Sequence, residues 1–209
     1  MVTWVTASLV GAIFSGAAVS GSDVPTVGLT IAVDLADSVK VGPRDLAEAE
    51  AWATASYRAV GIDVIWGRRG SGTSGLSATN IIRVRVVLVP HENAEAKCAA
   101  ERLSNQVAGI AMSGVQDERG RIAYIFYHRI ERMALANGAP VARGLGHVMA
   151  HEIGHLLLGV NSHSRDGLMQ PNWLPRETRL QTLTRTQIET VRRRFAAPAD
   201  AAHLSQTPP

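Results

Sequence analysis

The sequence predicts a single α+β domain, α/β-like in its order, in which one mixed, twisted sheet carries helices. Three observations lead there. Short runs alternate apolar and polar residues with the period of a strand, two other stretches repeat with the period of a helix, and the two kinds interleave along the chain. At 209 residues the chain is long enough for one well-buried core and short for two. With 46% hydrophobic and 19% charged residues it has the composition of a globular protein, which excludes a disordered or fibrous chain. No internal repeat is visible, so a solenoid is also excluded.

The elements follow in order. From Thr26 to Leu35, Val27, Leu29, Ile31, Val33 and Leu35 face one way and Gly28, Thr30, Ala32 and Asp34 the other, as in a half-buried strand. Pro43 opens a helix whose buried side is Leu46, Ala49, Ala53, Ser56 and Val60, with Gly61 as its stop and Trp52 and Tyr57 as packing residues. A second strand spans Ile62–Trp66. The run GRRGSGTSG from Gly67 to Gly75 is a connector, since it precedes no helix and lacks the Gly-Lys-Ser/Thr ending of a phosphate loop. In the third strand, Ile81–Val89, Arg83 and Arg85 oppose Val84, Val86 and Leu88. A short helix is expected within His91–Ser104, then strands at Val107–Met112 and Arg121–Tyr127 joined by the polar turn SGVQDERG. A long helix runs from Leu145 to Leu158 and stops at Gly159. Thr184 and Gln187 then form a capping box, Leu183 and Ile188 its hydrophobic staple, and Ile188, Val191 and Phe195 the buried stripe of a last helix that Pro198 closes.

The two ends differ from the rest. Residues 1–20 carry no charged side chain and contain a short apolar core followed by Ala18 and Ser20, the form of a cleaved secretory signal. The core falls short of the ~20 residues of a spanning helix. An extracytoplasmic or secreted protein is therefore expected, with membrane attachment only if the segment stays uncleaved. The domain proper is then 21–197, and 198–209 forms a disordered tail. The net charge of +3 comes from scattered side chains without interleaved aromatics, which speaks against nucleic acid. Arg192–Arg194 fall in the last turn of a predicted helix, where cations complement the macrodipole. A single cysteine, Cys98, allows no intrachain disulfide and reads as a buried, inert thiol.

The segment HEIGHLLLGVNSH carries the chemistry. On a helix, His151 and His155 lie on one face about 6 Å apart, close enough for both imidazoles to hold one ion. Glu152 is turned by about 100° from His151, beside the ion's open position, where a general base for water belongs. Met149, Ile153, Leu156 and Val160 recur on the opposite face and anchor the helix in a core. A hydrolytic zinc site needs a third protein ligand. His147 shares the face but lies about 12 Å from His155 along the axis, so it is read as a supporting or packing residue. Gly159 lets the chain turn back, which makes His163 the third ligand. Asp166 is a weaker competitor, and Asn161 offers only a neutral amide.

These residues resemble the metzincin clan of zinc peptidases, whose motif HExxHxxGxxH is followed by a turn containing methionine. Here the glycine comes one residue later and the last histidine two residues later, and Gly167-Leu168-Met169 looks like the methionine turn. The order of predicted elements is similar too. The resemblance implies a mixed twisted sheet with a backing helix, an active-site helix and a C-terminal helix. It also implies a Zn2+-dependent endopeptidase with Glu152 as catalytic base and His151, His155 and His163 as ligands. The strand at Val107–Met112 would then be the cleft edge on which an extended peptide or protein substrate adds as a further strand. Gln170, Pro171, Asn172 and Trp173 would wall the pocket. No tyrosine stands two residues after Met169, so the tyrosine of some metzincin subfamilies is absent. A monomer is expected. Two other readings stay open: a catalytically weak zinc-containing binding protein on the same fold, and a gluzincin-type peptidase with Glu177 or Glu189 as downstream ligand. Pro175 argues against a long helix presenting Glu177.

Overall fold

The computed structural model describes residues 28–68, 81–104, 107–113, 121–159, 161–171 and 179–195. The expected signal, most of the glycine-rich connector, the turn SGVQDERG after Ser113, Val160, Asn172, Trp173, Glu177 and the tail lie outside these residues.

Strand β1 (Leu29–Asp37) alternates as its sequence requires, with Leu29, Ile31, Val33 and Leu35 buried. Helix α1 (Pro43–Arg58) starts on a proline whose missing N–H would have no helical partner anyway, and it buries Leu46, Ala49, Ala53, Ser56 and Tyr57. The chain then leaves the helix through Gly61 at φ 76°, a conformation that favours glycine. Strands β2 (Ile62–Arg68) and β3 (Ile81–Val89) both pair with β1 in parallel. Arg85, exposed and opposite Asp34 in register, forms an ion pair with it at 2.8 Å. After α2 (His91–Ala100), strands β4 (Gly109–Ser113) and β5 (Arg121–Phe126) pair antiparallel, while β5 pairs parallel to β3. Among the described residues the sheet order is β2-β1-β3-β5-β4, with β4 as the one antiparallel strand, at an edge.

The sheet is covered unequally on its two faces. Val84, Val86 and Leu88 of β3, with Ala123 and Ile125 of β5, enter the main core. Their neighbours Val89 and Phe126 point the other way, into a smaller core with Ala94 and Cys98 of α2. Cys98 is a buried free thiol. This mixed sheet with helices is the expected α+β fold.

One helix departs from expectation. Residues Tyr127–Asn137 form α3 directly after β5, with no polar capping side chain and no acidic residue in its first turn. Its buried side combines Ile130 and Ala134 with Arg129, so a charged residue interrupts the apolar pattern by which a helix is recognised. Gly138 at φ 60° ends it, and α4 (Val141–Leu158) begins four positions before the predicted Leu145, behind Pro140. The expected strand end at Tyr127 is corrected accordingly: β5 stops at Phe126.

Helix α4 packs between α1 and the sheet, and glycine permits the approach. A Cβ on Gly146 would lie 2.5 Å from the Ala49 carbonyl oxygen and 2.8 Å from Trp52 Cβ. Met149, Ile153 and Leu156 are fully buried. Helix α5 (Arg185–Phe195) closes the domain behind α4, with Val191 buried and Ile188 and Phe195 partly so. Among the described residues no helix is long and apolar enough to cross a membrane.

Candidate metal centre

Helix α4 presents His151 and His155 one turn apart, and the loop that follows returns a third imidazole to them. The helix ends at Gly159, whose φ of 96° and ψ of −178° redirect the chain, and Asn161 takes a left-handed φ of 60°. Asn161 thus acts through its backbone, which its short polar side chain tolerates. His155 Nε2 then lies 3.1 Å from His151 Nε2 and 3.1 Å from His163 Nε2. The ligating atoms of His151, His155 and His163 all fall within 4.8 Å of one another.

Hydrogen bonding alone does not account for this cluster. His151 Nδ1 lies 2.8 Å from the Leu168 carbonyl oxygen, which only accepts, so Nδ1 carries the proton and Nε2 is left with its lone pair. His155 Nε2 faces two imidazole nitrogens, yet one proton there satisfies only one of them. Burial disfavours the extra protons that would relieve the conflict. It pushes His155 down to about 4 and lowers His151, with neighbouring imidazoles lowering both further. Three imidazoles whose Nε2 atoms converge fit a metal ion, whose ligand nitrogens at about 2.1 Å from the ion stand about 3.4 Å apart in a tetrahedron.

The surroundings orient the imidazoles. Ser162 Oγ lies 2.9 Å from His155 Nδ1. Beneath the cluster, Leu168 and Met169 are fully buried, and Gly167 at φ 80° sits where a Cβ would be 2.6 Å from the Thr182 carbonyl oxygen. Gly154 gives Met169 its place: a Cβ there would collide with the methionine sulfur. The turn is tied by Ser164 N–H donating to the Met169 carbonyl and Leu168 N–H donating to Thr182. Gln187 completes the predicted capping box, accepting from Thr184 N–H at 2.9 Å, and its amide also donates to the Ser162 carbonyl at 3.1 Å. Arg194 reaches back from α5 to the Leu157 carbonyl, a cation at the C-terminal end of α4.

Glu152 points beside the cluster toward β4. It is 6% exposed, and burial pushes its carboxyl up to about 8, opposed by the Ala111 backbone N–H. Gly109 makes room for it, since a Cβ there would stand 2.7 Å from Glu152 Cγ and 2.9 Å from its Oε1. Glu152 and the three histidines share one cleft, bordered by Val107–Gly109 on one side and Gln170 and Pro171 on the other. His147 also lines this cleft, but its ring centre is 6.3 Å from that of His151, and it does not join the three. Nor does Asp166, which is exposed, or Glu189, which pairs with Arg185 at 3.1 Å on the surface of α5.

No protein-family model matches the chain, and no curated protein matches it either. The site therefore rests on its own geometry. Sequence reasoning missed Ser162, the Leu168 carbonyl, Gly109 and the second role of Gln187. Only Ser162 carried a signal, a hydroxyl beside a candidate ligand histidine, and serines of that kind are common.

Proposed function

We propose that the chain is a zinc-dependent endopeptidase of metzincin-like type, with His151, His155 and His163 as ligands and Glu152 as general base. The observation that carries this reading is the convergence of three imidazoles beside a buried carboxylate in an open cleft. Three neutral nitrogen ligands suit zinc and leave one position for water or substrate. The edge position of β4, the methionine beneath the cluster and the glycine-directed return of the chain lend the resemblance further support.

When bound, zinc supplies a Lewis acid that acidifies water and polarises a carbonyl. Glu152 takes the proton of the attacking water and passes it to the departing amine nitrogen, so no covalent intermediate with the chain is formed. Burial alone would keep this carboxyl protonated near neutrality, and a nearby dication draws it back toward the ionised form. The outer edge of β4 offers backbone groups to an extended peptide, which would align a scissile bond over the cleft. The Leu168 carbonyl and Ser162 hydroxyl hold the two helical imidazoles in place.

The test is Glu152→Gln, which keeps size and removes the proton acceptor. The variant is expected to retain one zinc at this site and to lose peptide hydrolysis by about 10²–10⁴-fold, measured with a peptide library and metal analysis. Undiminished turnover in the zinc-replete variant would rule out the general-base role. Absence of hydrolysis in the zinc-replete wild type would favour a binding protein.

A further inference from the structure

A second group of metal-type ligands lies away from the cleft, where α2 meets α3. His91 and Glu95 stand one turn apart on α2, and His128 projects from the first turn of α3. The ligating atoms of these three fall within 4.8 Å of one another. His128 Nε2 is 3.1 Å from Glu95 Oε1, and the rings of His91 and His128 meet edge to face with centres 4.3 Å apart. His91 and His128 also border a neighbouring hollow lined by Glu92 and Glu131, with Lys40 as the opposing cation.

Proton positions on His128 point to a ligand. If its Nε2–H donates to Glu95, Nδ1 is left with a lone pair, and this atom is buried without a hydrogen-bond partner among the described residues. In the reverse tautomer Nε2 turns its lone pair toward the Glu95 carboxylate, an acceptor facing an acceptor that a cation between them would relieve, and it is on this Nε2 side, not at Nδ1, that an ion shared with Glu95 would lie. Arg129 opposes a cation with its own charge, 3.2 Å from Glu95 Oε1. It engages one carboxylate oxygen of two, however, and it is anchored elsewhere by donating to the Ser104 and Val107 carbonyls. It therefore orients the carboxylate while leaving it a second oxygen.

We propose that His91, Glu95 and His128 form a second site for a divalent transition-metal ion, independent of the three-histidine cluster. Two imidazoles and a carboxylate suit zinc, nickel or copper rather than magnesium or calcium. The site is more exposed than the first and has a cationic neighbour, so it binds more weakly. Its ion would join α2 to α3 and, through Arg129, to the segment leading into β4.

The experiment uses tag-free, full-length protein stripped with chelator and dialysed against Zn2+, with metal counted by mass spectrometry. Wild type is expected to bind two equivalents, His151→Ala/His155→Ala one, His91→Ala/His128→Ala one, and the fourfold variant none. Equal zinc in His151→Ala/His155→Ala and in the fourfold variant would overturn the proposal. Should the first double variant not fold, as judged by circular dichroism, the decision passes to His91→Ala/His128→Ala, where unchanged stoichiometry overturns it and loss of one equivalent supports it. Peptide hydrolysis is not part of the readout, so an inactive wild type binding two equivalents would count against the peptidase reading alone.

Discussion

Gly109 sets how closely β4 can approach Glu152. A Cβ at this position would stand 2.7 Å from Glu152 Cγ, so an alanine there forces the carboxylate or the strand to move. Gly109→Ala is expected to cost about 1–3 kcal/mol of stability, the usual range for overpacking, read from urea unfolding. An unchanged midpoint would mean that Glu152 has space to turn away. His147 makes a different contribution at the same scale. Burial, aided by His151, holds it down at about 3 against its ordinary 6.5, so the folded state favours the neutral ring. Its contribution is present above about pH 6.5 and is lost as pH falls toward 3, because the unfolded chain binds the proton first. His147→Leu should therefore flatten the acid side of the stability profile by up to a few kcal/mol. The comparison is made between pH 7 and pH 4 with chelator in both samples, and parallel profiles would refute it. The motif made His151, Glu152 and His155 readable, since helical spacing alone determines which face each takes. Gly109 was not readable, because its reason is a side chain from an element distant in sequence.

At the scale of elements, the loop after α4 and the start of α5 behave as one unit. Gln187 closes its own capping box and holds the Ser162 carbonyl, while the Ser162 hydroxyl meets His155. Removing that hydroxyl frees one imidazole to rotate. Ser162→Ala is expected to weaken zinc binding at the three-histidine cluster about 10-fold, the low end for loss of a ligand's supporting hydrogen bond, with little change in thermal stability. Competition against a chromophoric chelator would measure it, and equal affinity would show that the ring is held by packing alone. The capping box was legible because Thr-x-x-Gln is local, and the tie to Ser162 was not because it spans 25 positions. Helix α3 stayed hidden for a related reason. Its buried Arg129 finds backbone carbonyls at Ser104 and Val107, so a charged side chain occupies the place of an apolar one.

For the whole molecule, strand alternation was the most legible signal, as in β1 and β3, whose buried positions follow the written pattern. Order in the sheet was not, because parallel partners are set by crossover helices and not by local sequence. The short return from Gly159 to His163 has a thermodynamic meaning of its own. His155 follows His151 by four positions, and His163 follows His155 by eight. An unfolded chain therefore keeps the three imidazoles close together and can itself chelate the ion, though more weakly. By linkage, an ion bound there would stabilise the fold only through the ratio of its affinities for the two states. Tight binding at this site would thus translate into less protection against unfolding than its affinity suggests.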